Sequence, residues 1–312
     1  MAPTRILGRQ RQIVLVTGTV ICCMLLASAS VCMNLWRNKP AIGHTAMTMK
    51  KEWVKHVAVS RNATSARVLV MQTCGEGKYE QLLRVTRLAN ERWAGQQGYD
   101  YLSVVGNYAA LHFQHGGREW LSTFNKAWMV AEIVNMSRPS YDYVFYMDGD
   151  AMVTDPLWDV RTLPSSLAGV MFAAHSGGSD EPWNINAGVM LWDLRHEVVT
   201  DWVARCAAVI EAAMEGNPPW DDQALLQYAL RDKLHALGLP KNNKTQPGIN
   251  GLQAGRKAGI VAVLPNHWPS HAGQIVHHIM RPPGDAWSGN SVATRIAQAS
   301  RDFEAIQWAR RR

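Results

Sequence analysis

The chain has 312 residues, 47% of them hydrophobic and 18% charged, which is the composition of a folded globular protein with room for one sizeable core. Its formal net charge of +7 is spread along the sequence, and no Lys/Arg block alternates with aromatic residues, so nucleic acid is excluded as the expected partner. No CxxC pair or Cys/His cluster indicates a structural zinc site.

In chain order the first signal is an uncharged apolar run from Ile13 to Met33, preceded by Arg5, Arg9 and Arg11. As a helix it spans roughly 30 Å, the thickness of a hydrocarbon core. Arginines before the run and none within it predict a cytosolic tail at 1–12, a signal anchor at 13–33 and a lumenal remainder, a type II topology. A cleaved signal peptide ending near Ala27-Ser28-Ala29 is the rival reading. Both readings export the body. The sequons at Asn62, Asn135 and Asn243 are then open to glycosylation, and Cys74 and Cys206 remain either as a disulfide or as two buried thiols.

Residues 34–66 are polar and weakly periodic, and read as a stem. A single catalytic body at 67–312 follows. Its start alternates a strand at 67–71, a helix at 79–93, a strand at 101–105, a helix at 124–134 and a strand at 143–147. This βαβαβ order predicts a Rossmann-like α/β fold, its sheet mixed but mostly parallel, with ligands beyond the carboxyl ends of the strands. Further strands are expected at 168–173, 187–192, 260–264 and 274–279, and helices at 197–214 and 221–235.

Asp148-Gly149-Asp150 leaves the apolar strand Val144-Phe145-Tyr146-Met147 as a turn. A D-x-D is expected roughly once by chance in a chain of this length, so the tripeptide gains meaning only from its place at a strand end. There Asp148 and Asp150 can converge on a hard divalent cation such as Mn²⁺ or Mg²⁺, whose remaining positions suit water and substrate phosphates. Asn186-Ala187-Gly188 opens a strand. Gly188 reads either as relief of a clash between backbones or as room for a ligand that Asn186 would bind through its amide. Asp221-Asp222-Gln223 precedes an apolar helix, and one aspartate suffices as its N-cap while two exceed that need.

The sequence Phe124-Asn125-Lys126-Ala127-Trp128, then Asp148-Gly149-Asp150, Asn186-Ala187-Gly188-Val189-Met190-Leu191 and Asp221-Asp222-Gln223 resembles the retaining GT-A glycosyltransferases that include fungal galactosyl- and mannosyltransferases and plant xyloglucan xylosyltransferases. Gly98-Tyr99-Asp100-Tyr101 fits the same order, and the resemblance covers about residues 67 to 285. It implies a metal-dependent transfer of a hexose or pentose from a nucleotide-sugar, a UDP-sugar foremost and GDP-mannose second, to a glycan or glycoprotein hydroxyl in the Golgi membrane. Thirteen tryptophans suit a carbohydrate cleft without establishing one.

The resemblance further implies Asp222 and Gln223 as catalytic residues beside the sugar, with Asp148, Asn186, Ala187, Gly188 and Asp221 in donor binding. A histidine from a late strand would complete the metal shell. His277 is preferred over His278, although Met280-Arg281-Pro282-Pro283-Gly284 departs from the family pattern there. Arg281 is expected to pair with the diphosphate. Lys126 falls where the family often has a lysine, but a surface lysine needs no special role, so it is not counted as catalytic. Two alternatives stand beside this reading: a GT-A transferase of another family, adding arabinose or galactose to hydroxyproline-rich protein, and an inactive glycan-binding or scaffold subunit.

Overall fold

The computed structural model describes residues 54–56, 66–106, 119–135, 141–162, 172–176, 185–215, 222–236, 261–263, 269–270, 275–279 and 289–309. The expected anchor at 13–33, the sequons at Asn62 and Asn243, and Asp221 and Arg281 lie outside these residues. Among the described residues no helix is long and apolar enough to cross a membrane.

The strands are β1 (Val54–His56), β2 (Val68–Cys74), β3 (Asp100–Val105), β4 (Tyr143–Asp148), β5 (Ala151–Val153), β6 (Phe172–Ser176), β7 (Ile185–Asp193), β8 (Val261–Val263), β9 (Pro269–Ser270) and β10 (Val276–His278). The helices are α1 (Lys78–Gln97), α2 (Asn125–Asn135), α3 (Val199–Glu215), α4 (Asp222–Ala236) and α5 (Gly289–Ala309). Short 3-10 turns occupy Glu119–Phe124 and Val160–Thr162.

The main sheet has the order β1-β3-β2-β4-β7-β6-β8. Its β3-β2-β4 part is parallel, as the βαβαβ pattern predicts, because each strand is separated from the next by a helix that returns the chain. β7 runs antiparallel to both β4 and β6, which makes the sheet mixed. Every residue of β2 is buried, the mark of a strand covered on both faces. Alternate residues of β2 feed two cores. Leu69 and Met71 join Trp128, Trp192 and Trp202 on one face, while Val68 and Val70 join Trp93, Phe145 and Trp158 on the other.

The tryptophans in these cores are structural. Trp93 stacks on Trp158 at 5.6 Å and Trp192 tilts against Trp202 at 4.8 Å, so the high tryptophan count reflects packing at these positions. Cys74 and Cys206 are free and buried. Burial raises the Cys74 thiol to about 12, and it raises Cys206 as well.

Elements that the sequence expectation did not include are β1, β5, β9 and α5. β1 lies within the stretch read as stem and pairs antiparallel with β3 through Val54 and Ser103. β5, directly after the Asp148-Gly149-Asp150 turn, forms a second small sheet with β10 and β9. α5 was not expected as a helix at all, yet it packs against α1 through Leu82, Ile279 and Ala299.

Candidate metal centre

The turn between β4 and β5 is held by buried polar side chains from β2, β3 and α1. Gln72 donates through Nε2 to the carbonyls of Asp148 and Ala151, both at 3.0 Å, and accepts from Tyr101 Oη at 2.5 Å. Thr86 donates to the Gly149 carbonyl at 2.7 Å. Asn90 donates to the Ala151 carbonyl at 2.9 Å and accepts from the Val153 N–H at 2.8 Å. A Cβ at position 149 would lie 3.0 Å from Cys74 Cβ and 3.1 Å from the Thr73 carbonyl oxygen, a close approach that favours glycine there. These bonds fix the direction in which Asp148 and Asp150 leave the backbone.

The strand β10 brings the third group. Its antiparallel register on β5 sets His278 opposite Ala151, one residue from Asp150, and Ile279 N–H donates to the Asp150 carbonyl at 2.9 Å. Ligand atoms of Asp148, Asp150 and His278 all lie within 4.8 Å of one another. His278 Nε2 is 3.2 Å from Asp150 Oδ1. Burial opposes protonation of His278, but Asp150 and then Asp148 outweigh it and hold the imidazole above its ordinary value. Burial likewise opposes the charge on Asp150, and His278 and Arg295 overcome it, so its carboxyl lies below the usual range.

The histidine preferred from the sequence, His277, is not the one that faces the carboxylates. Successive strand residues point to opposite faces, and His277 Nδ1 contacts Asp302 Oδ2 of α5 at 2.7 Å. A strand of three residues carries no apolar alternation that would reveal its phase, which is why the sequence could not separate the two rings.

Lys126 corrects the sequence reading more strongly. It is 3% exposed, not a surface lysine, because the first turns of α2 are buried from Asn125 to Ala131 between the sheet and its neighbours. Its Nζ lies 3.0 Å from Asp148 Oδ1 and 2.5 Å from Asp222 Oδ2, and donates to the Ala187 carbonyl at 3.3 Å. The ammonium also sits 5.2 Å above the Tyr146 ring. Burial pulls the lysine pKa down, but the attraction of Asp148 and Asp222 raises it well above the ordinary value, so it stays charged. A lysine inside an otherwise apolar helix stretch, Ala127-Trp128-Met129-Val130-Ala131, was the available signal.

Lys126 thus ties Asp148, Asp222 and the β7 strand together. Asp222 opens α4, and Gln223 accepts from the Ala187 N–H at 3.2 Å. Asn186 turns its Oδ1 back to the Gly188 N–H at 2.9 Å. The space beside Gly188, read from sequence as relief of a clash or as room for a sugar, is filled by the His278 ring. Of the expected residues the structure therefore assembles Asp148, Asp150, Ala187, Gly188, Asp222 and Gln223, with Asn186 adjoining.

An O,O,N donor set of two carboxylates and an imidazole fits a divalent cation of the Mn²⁺ class and leaves coordination positions for substrate oxygens. Among the described residues around it, Asp148, Asp150 and Asp222 face the cations Lys126 and Arg295. One negative charge is left unbalanced when His278 is neutral. A divalent ion would reverse that sign, as a diphosphate ligand requires.

No family model and no curated protein sequence matches the chain. Among solved structures it is similar to a glycosyltransferase involved in glycosylation of the major capsid of PBCV-1, with 13% identity, 75% of this chain and 99% of that chain covered, and a TM-score of 0.47. It is also similar to the glycosyltransferase GlyE of Streptococcus pneumoniae, with 13% identity, 79% and 64% covered, and a TM-score of 0.40. For mouse xyloside xylosyltransferase 1 the identity is 10%, the covered shares are 68% and 97%, and the TM-score is 0.34. Likeness at this level carries no inference about chemistry, which rests on the side chains described above.

Proposed function

We propose that the chain is a metal-dependent glycosyltransferase of the GT-A type, which transfers a hexose or pentose from a nucleotide-sugar to a hydroxyl of a glycan or glycoprotein. The observation that carries this reading is the convergence of Asp148, Asp150 and His278 at the carboxyl end of β4, with the buried Lys126–Asp222 pair directly beside it. The resemblance of the sequence motifs supports a UDP-sugar as donor and retention of anomeric configuration. Arginines ahead of the run 13–33 support a single-pass type II protein with a lumenal catalytic body, and the resemblance of the motifs supports the Golgi membrane as its location.

In this reading Asp148, Asp150 and His278 hold Mn²⁺, or Mg²⁺ less readily because of the imidazole. When bound, the ion supplies Lewis-acid compensation for the charge of a departing diphosphate. The chain's own residues do the rest. Lys126 moves no proton, since its partners keep it an ammonium, and it fixes the Asp222 carboxylate at 2.5 Å. Asp222 is thereby set to stabilise positive charge developing at the anomeric carbon. Gln223 braces the Ala187 backbone; Asp221 is assigned to the sugar by its motif position, and Arg281, in a stretch that departs from the family pattern, is assigned to the diphosphate by its fixed positive charge.

The test is consumption of a panel of nucleotide-sugars by the purified full-length chain with Mn²⁺ present. At least one donor should be hydrolysed or transferred, and Asp148→Ala and Asp150→Ala should abolish the turnover. Failure to consume or bind any nucleotide-sugar in Mn²⁺ overturns the proposal.

A further inference from the structure

The C-terminal helix α5 reaches the metal centre through one buried cation. Arg295 is 5% exposed, and its Nη1 lies 2.7 Å from Asp150 Oδ2, a contact between residues 145 positions apart. Its Nε and Nη2 are buried without a hydrogen-bond partner among the described residues, and its guanidinium lies 5.5 Å from the Tyr79 ring centroid. Burying a cation is costly unless it is paired, and among the described residues the Asp150 carboxylate compensates Arg295.

Attachment of α5 alone does not require this pair. The helix already has an apolar seam of Ile296 and Ala299 against Leu82, Val85 and Ile279, and a second latch in which Asp302 contacts His277 at 2.7 Å. Gln298 Nε2 further donates to Asp302 Oδ1 at 2.8 Å. What Arg295 adds concerns Asp150. The terminal torsion of an aspartate is soft and does not by itself select one oxygen. With Oδ2 held by Arg295, the carboxylate presents Oδ1, the oxygen 3.2 Å from His278 Nε2.

From this arrangement we infer that Arg295 is a positioning residue of the metal centre, fixing Asp150 so that it offers a single oxygen to the cation beside His278 and Asp148. The inference rests on the metal-centre reading and adds a partner from the far end of the chain. Partners that orient a metal ligand are typically worth ten- to a hundred-fold in metal affinity.

The experiment is Mn²⁺ binding by the full-length chain, read as free Mn²⁺ by electron paramagnetic resonance, for wild type, Arg295→Met, Arg295→Lys and Asp302→Ala. Arg295→Met should bind about ten-fold more weakly or worse, and Arg295→Lys should fall between it and wild type, because an ammonium keeps the charge but not the guanidinium geometry. Asp302→Ala, which loosens the same helix at its other latch, should melt at lower temperature yet bind Mn²⁺ as wild type does. Unchanged affinity in Arg295→Met overturns the inference, as does an equal loss in Asp302→Ala. If Arg295→Met does not fold, wild-type affinity in Arg295→Lys overturns it. Absence of Mn²⁺ binding by the wild type removes the metal-centre reading itself, an outcome distinct from a defect confined to Arg295.

Discussion

Gly188 and His278 share one space: a Cβ at position 188 would lie 2.1 Å from Cε1 and 2.7 Å from Nε2 of the imidazole. His278 is buried and its Nε2 lies 3.2 Å from Asp150 Oδ1, so a ring displaced by the new methyl group would be moved from its place beside Asp150. Gly188→Ala should therefore lose Mn²⁺-dependent turnover and destabilise the fold by about 1–3 kcal/mol, the usual cost of overpacking. Denaturant unfolding and a Mn²⁺ activation curve check this. A variant with wild-type Mn²⁺ dependence would show that the ring does not act from this position.

The two adjacent histidines separate by their faces. His278→Ala should abolish Mn²⁺ binding, since it removes one of three protein ligands. His277→Ala should keep Mn²⁺ binding and lower the melting temperature, because His277 contacts Asp302 on α5. Equal Mn²⁺ affinities in the two variants would contradict the strand phase described here.

Lys126→Met removes the cation that Asp148 and Asp222 share. Breaking a buried pair by deleting one partner costs roughly 3–5 kcal/mol, and the lower end is expected because the Asp148 side chain is 31% exposed. Urea unfolding measures the loss, and Mn²⁺ should restore part of it by replacing the missing positive charge beside Asp148. A loss below about 0.5 kcal/mol is what a surface lysine would give, and would contradict the burial of Lys126.

The pH dependence of metal uptake follows from His278 and Asp150. In the metal-free protein the raised His278 contributes stability that is present below its ordinary value of about 6.5 and is lost as pH rises through its folded value. The depressed Asp150 contributes stability that is present above the ordinary carboxylate value and lost as pH falls through its lower folded value. Only the neutral imidazole binds a cation, so the proton must leave first. The rise in melting temperature caused by Mn²⁺ should be small near pH 6 and grow as pH increases through the His278 value. Melting curves with and without Mn²⁺ across about pH 6 to 9 measure it, and a rise independent of pH would contradict the role of His278.

The parallel half of the sheet and the Asp148-Gly149-Asp150 turn were legible because β2 and β4 are apolar runs separated by a helical pattern, and the turn sits at a strand end. The phase of β10 was not, since Val276–His278 is too short to alternate visibly. α5 escaped notice because its inward positions include Val292, Arg295 and Ala299, so a buried arginine and a small residue stand where an apolar stripe would have announced the helix. Lys126 was misread by residue type, since lysine is rarely buried and its two carboxylate partners lie far away in sequence. Gly188 was legible as a place of close approach, but only three-dimensional contact shows that His278 is what approaches.

Calorimetric titration of the full-length chain with Mn²⁺ tests the central claim most directly. One site per chain is expected in the wild type, absent in Asp148→Ala, Asp150→Ala and His278→Ala and retained in His277→Ala. Saturable binding that survives all three ligand substitutions, or no binding by the wild type, would contradict a metal centre at the end of β4.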